Sequence, residues 1–136
     1  MIETTSLDRQ LADMLWMVAT ALRAGYPIRQ VFGQLSSEAP EPTASACARL
    51  AADLSSGLAL DQAITNWQQT SPSAYLPYVA AVVRQYQQTG GNLPDLLAPV
   101  GEQLLEIAGT DPAFYPAMRG LAQSVGATLP PRVEES

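Results

Sequence analysis

The sequence contains no lysine and no histidine, and its one cysteine is Cys47. Each absence closes a class of chemistry. Without an imidazole there is no Ser-His-Asp or Cys-His catalytic pair. Without lysine there is no Walker-type phosphate loop and no Schiff base. One thiol and no imidazole cannot assemble a Cys/His zinc site. A lone thiol forms no disulfide within the chain, so nothing marks an oxidising compartment. Charge is sparse at 15% of residues, and the seven cations, all arginine, face 13 acids for a net charge of −6. That balance argues against a nucleic-acid-binding face. Long apolar runs are missing as well. The longest, residues 14–19 and 75–83, fall far short of the roughly 20 residues that span a bilayer. Residues 1–8 carry no basic region ahead of an apolar one and do not read as a signal peptide. The chain as given is expected to be soluble.

What is present is helical periodicity. The 136 residues, 47% of them apolar, suit one core. Leu7, Leu11, Leu15, Val18 and Leu22 recur at steps of three and four, which predicts a first helix over 7–24. Gly25 stops it, and Pro27 opens a second that runs to Ala39. After Pro40-Glu41-Pro42 a third helix covers 43–56, stopped by Gly57, and a fourth covers 60–69. Ser73 reads as the N-cap of a fifth that reaches Thr89. Gly90-Gly91 ends it, and Asn92 caps a sixth, with Asp95 suited to its positive end. A seventh is expected over 113–125, and beyond Gly126 the sequence reads as a frayed tail. No segment alternates like a strand.

Gly25, Gly57 and Gly90 are also the origins of an internal repeat, spaced by 32 and 33 residues. Apolar residues follow at fixed offsets: Ile28, Leu60 and Leu93; then Val31, Ala63 and Leu96; then Phe32, Ile64 and Leu97; then Leu35, Trp67 and Val100. The expected fold is therefore all-α. It is a compact antiparallel bundle of about six helices, built from three helical hairpins, plus a short C-terminal helix. Residues 1–109 form the helical domain, and 110–136 the C-terminal helix and tail.

Three stretches around these glycines carry a resemblance. They are Leu22-Arg23-Ala24-Gly25-Tyr26-Pro27-Ile28, the run from Leu54 through Gly57 to Ala63, and Thr89-Gly90-Gly91-Asn92-Leu93-Pro94-Asp95-Leu96-Leu97. In order and at these separations they resemble the cytoplasmic domain of the type II secretion system F family, whose turns read LxAGxxL, xxGxxLxxAL and TGGNLxExL. The resemblance covers residues 7–106. It implies a non-enzymatic, cofactor-free helical bundle at the cytoplasmic face of an inner membrane. There it serves an assembly platform of type II secretion, type IV pili or tight-adherence pili. The implied partners are the secretion ATPase or other platform subunits; a homo-oligomer docked through the first helix is a separate expectation. Gly25, Gly57, Gly90, Gly91 and Asn92 would be structural turn residues. Such platform proteins continue into a membrane-spanning helix. Here residues 113–125 contain Pro116, Arg119, Gly120 and Gln123 and do not read as a span, so the chain is either a free-standing relative or a piece of something larger. The competing reading is a soluble helical-repeat adaptor unrelated to secretion.

Few residues offer chemistry. Glu102 and Glu106, one turn apart, offer oxygens to a divalent cation but read more simply as a solvated face. Cys47 lies among alanines and reads as small core. Trp67, at a repeat position, reads as core, and Tyr75, Tyr78 and Tyr86 as core or boundary. Arg9, Asp13, Trp16 and Thr20 share one stripe of the first helix. That stripe is either covered by the seventh helix or is an interface with Trp16 as its anchor.

Overall fold

The computed structural model describes residues 4–134. The helices are α1 (Thr4–Arg23), α2 (Ile28–Glu38), α3 (Thr43–Ser55), α4 (Leu60–Gln68), α5 (Leu76–Thr89) and α6 (Leu93–Ala108). A single 3₁₀ turn at Pro112–Phe114 leads into α7 (Tyr115–Val125), and α8 is the short Pro131–Glu134. The fold is all-α, with no strand among the described residues. No helix of the described residues is long and apolar enough to cross a membrane.

Short connections make successive helices neighbours, and six of them close into a ring. The broadest contacts join α1 to α6, α2 to α3 and α4 to α5. Those across the glycine turns, α1–α2, α3–α4 and α5–α6, are smaller. The helices of each sequence repeat are thus consecutive, but each packs more heavily on the neighbouring repeat. α1 and α6 run antiparallel: Arg9 near the start of α1 reaches the Ala108 carbonyl at the end of α6, and Arg23 pairs with Asp95 at its beginning. Ring closure of this kind is unlike the open stacking of a helix-turn-helix array.

α1 is the axis. From Gln10 to Ala21 every residue except Trp16 and Thr20 is buried. A helix buried nearly all round must have its polar side chains met from within. Asp8 accepts from Ser73 Oγ at 2.9 Å. Gln10 accepts from Thr43 Oγ1 at 2.6 Å and donates to the Glu41 carbonyl and to Asp111. Asp13 is held by Thr110 and by the Asp111 amide. One half of α1 therefore fastens the α2–α3, α4–α5 and post-α6 connections, all at one end of the bundle.

The opposite end carries the glycine turns. Gly25 and Gly57 adopt φ of 97° and 96°. Both close the same two-bond cap: Tyr26 N to Ala21 O with Gly25 N to Leu22 O, and Leu58 N to Asp53 O with Gly57 N to Leu54 O. This is the Schellman arrangement, which needs a left-handed residue. Gly90 (φ 77°) ends α5 differently, with one bond to Tyr86 O, and Gly91 follows at φ 112°. Asn92 then accepts from the Asp95 amide and caps α6. The repeat's offset of seven is buried in all three units, at Phe32, Ile64 and Leu97, whereas Trp67 and Val100 at the outer offset are half-buried.

Other expectations are corrected. Trp67 is not core but half-buried, and Tyr78 is 64% exposed. Ser73 is not the N-cap of α5, which begins at Leu76. Its hydroxyl accepts from Tyr75 N while donating to Asp8. The segment read as a frayed tail folds back instead, with Val133 1% exposed. Phe114, Met118 and Val133 belong to the same core as α1–α6, so no separate packing unit begins at residue 110. Glu135 and Ser136 lie outside the described residues.

Two glycines should respond to alanine with opposite sign. At Gly57 an added Cβ meets nothing within 4 Å, so Gly57→Ala is penalised by its backbone conformation alone, about 1 kcal/mol. Gly33 lies inside α2 with similarly open space, so Gly33→Ala should stabilise by up to about 1 kcal/mol. Urea midpoints read both, and a Gly57→Ala midpoint at or above wild type would refute the first.

Candidate functional site

The stripe of Arg9, Asp13, Trp16 and Thr20 turns toward α6 and the C-terminal segment. Gly101 brings α6 close: a Cβ there would sit 3.1 Å from Leu15 Cβ and 3.7 Å from Trp16 N. Asp13 is 1% exposed and satisfied inside the chain, so it is not part of an accessible surface. Arg9 is exposed, but its Nε donates to Ala108 O at 2.8 Å. α6 has no basic residue in its own last turn. Arg9 supplies a cation there, and Arg132 lies over Gly109, where a Cβ would come within 2.6 Å of its Nη1. Two guanidinium groups thus meet the negative end of the α6 dipole.

Trp16 and Thr20 are half-buried. With Ala98, Glu102 and Leu105 of α6, and Pro130 at the edge, they border a cavity of about 110 Å³. Trp16 is therefore neither wholly covered nor free: its inner side joins the core and the rest faces this opening.

The other singled-out residues resolve more simply. Cys47 is fully buried, and burial pushes its thiol up to about 12. It is not a thiolate at neutral pH. Glu102 and Glu106 are exposed, and no group of three or more His, Cys, Asp or Glu among the described residues could hold a metal ion. Gln10, Thr110, Asp111 and Gly101 organise this region, yet the sequence reading did not single them out for it. Only the polar positions Asp8, Gln10 and Asp13, set among apolar residues of the first helix, hint that α1 carries buried polar contacts.

Asp13 is the electrostatic centre of the clasp. Burial raises its carboxyl from an ordinary 3.8 to about 7, and nearby Asp111 adds to the rise; hydrogen bonds from Thr110 and the Asp111 amide oppose it. The native carboxyl keeps its proton up to about pH 7, whereas the unfolded chain loses it near 3.8. Between these values the native state binds more protons, so stability falls as pH rises through the window and levels above it. Glu41 works the other way. Bonds from Ser45 lower its pKa below 4.5, so its contribution fades only as pH falls past that value. The melting temperature should therefore drop from pH 5 to pH 8 in the wild type and stay nearly flat in Asp13→Asn, as scanning calorimetry would show. Equal slopes in the two proteins would refute the assignment to Asp13.

The family model for type II secretion system (T2SS), protein F matches residues 14–111, well over half of the chain. No curated protein and no solved structure matches it. The matched region opens within α1, takes in the three glycine turns and the Asn92 cap, and closes at Asp111, where the C-terminal segment is clasped to Asp13. With its turns and helices in that order, the chain belongs to the type II secretion system protein F family.

Proposed function

We propose that this chain is a non-catalytic contact domain in the platform of a secretion or pilus-assembly machine. The match to the protein F family over residues 14–111 carries this reading. Residue chemistry supports it: no lysine and no histidine occur in the sequence, and the one thiol is buried and protonated. A domain so equipped acts by shape and contact. The proposed location is the cytoplasmic side of the inner membrane, reached through partners. Those partners are the secretion ATPase, other platform subunits or a second copy.

The α1–α6 seam is the proposed docking face. Trp16 offers an aromatic anchor beside an opening, Thr20 a polar neighbour, and Arg23 and Glu102 bring both charge signs to the same cavity. Aromatic and arginine side chains dominate the energetics of such contacts.

Affinity for a secretion ATPase from the same organism tests the proposal. Trp16→Ala should weaken binding by about 2 kcal/mol, roughly thirtyfold, if the indole is a hot spot. Because Trp16 also touches the core, Thr20→Arg is the second variant. It crowds the opening and should weaken binding with little change in melting temperature. Full affinity in both variants would remove the seam from the interface. Absence of binding to the ATPase and to the platform subunits alike would sink the functional reading.

A further inference from the structure

A second concavity, larger than the one beside Trp16, lies on the other face of α1, where Leu7 and Leu11 point away from the Trp16 stripe. It is a groove of about 390 Å³ between the start of α1, α3, α4 and residues 70–73. Its floor is core: Leu11, Leu50, Ala63 and Leu76 line it, and none is more than 3% exposed. Interiors of small domains are close-packed and leave few voids larger than a water. An opening that reaches four buried aliphatic side chains is room for one or two large apolar side chains, within the size range of ligand pockets.

The rim is polar and unspent. Arg49 and Asp53 stand one turn apart on α3 and both line the groove. Among the described residues the ion pair is Arg23–Asp95, and the side chains of Arg49 and Asp53 have no hydrogen-bonding or ionic partner. Among the described residues the Asn66 amide and the Trp67 indole N–H, on the α4 side, also find no hydrogen-bonding partner. A simple anion drawn to Arg49 would meet Asp53 within a turn, and a simple cation the reverse. The rim therefore complements an occupant that brings both signs. An amide that donates and accepts, beside an indole that donates, suits the main chain of a peptide.

We propose that this groove binds a peptide segment of a partner protein, which seats a large apolar side chain against Leu50 and Leu76 and places an acidic group on Arg49 and a basic group on Asp53. The proposal rests on this groove alone and holds whether or not the α1–α6 seam binds a secretion component.

The test is selection from a display library of random eight-residue peptides on the wild-type chain, with counter-selection against Ala46→Trp, which fills the groove from α3. The expected consensus is a large apolar residue flanked by one acid and one base. An enriched peptide, synthesised and titrated, should shift the emission of Trp67 in a Trp16→Phe background, where Trp67 is the remaining tryptophan. Arg49→Glu makes the rim acidic throughout. It should weaken that peptide about tenfold and turn the selected consensus toward two bases, with the melting temperature unchanged. A merely structural role for Arg49 would not reverse charge preference. No enrichment over Ala46→Trp, or a consensus indifferent to Arg49→Glu, overturns the proposal. So does sedimentation showing a dimer that Ala46→Trp dissociates, since the occupant would then be a second copy.

Discussion

Burying α1 along most of its length is the constraint on which the rest depends. A helix buried on nearly all sides removes a large apolar area from water, and that is the main favourable term in a domain this small. It also strands the polar side chains of that helix. An unmet buried polar group costs about 1–3 kcal/mol, so Asp8, Gln10 and Asp13 must each be met. The partners come from three separate connections: Ser73, then Thr43 with the Glu41 carbonyl, then Thr110 with the Asp111 amide. No buried side-chain polar atom among the described residues is left without a partner. The polar residues of α1 thus fix where three distant turns sit, which apolar packing alone does not do.

The two ends of the bundle are built on different physics. At the glycine end, order is local: a left-handed residue closes a helix with its own backbone, and the neighbouring chain is not needed. At the stapled end, order is non-local, with hydrogen bonds that join residues 31 to 101 positions apart. This difference governs what the sequence discloses. Gly25, Gly57 and Gly90 were legible because a turn that needs positive φ selects for glycine directly, and the repeat spacing compounds the signal. The helix boundaries followed to within a few residues. Asn92 was legible for the same reason, as a cap with its partner three residues on.

Most of the misread residues depend on how distant segments pack. Period alone places Asp13 beside Arg9 and Trp16 on a stripe that is either covered by the seventh helix or an interface. Nothing local says that Thr110 and Asp111 return to cover it. Gly101 sits inside α6, and its use, letting α6 approach Leu15, depends on the partner helix. The tail after Gly126 has the composition of a loose end, yet Val133 and the Arg132 guanidinium find places made by α1 and α6. Trp67 obeys the repeat but not the burial, since the third and fourth helices leave a groove where the other units pack.

That groove and the stapled end are the same region. Thr43 and Ser73 line the groove and are also the groups that bond Gln10 and Asp8. The walls on either side of Leu50 and Leu76 are therefore held by the polar side chains of α1 rather than by contact across the opening. A cavity supported in this way can stay open without collapse, because closing it would strip Asp8 or Gln10 of partners that burial makes costly to lose. Asp13 lies one turn further along the same helix, and its neighbour Asp111 also accepts from Gln10. The clasp and the groove wall are thus joined through one glutamine, which bonds Asp111 on one side and Thr43 on the other.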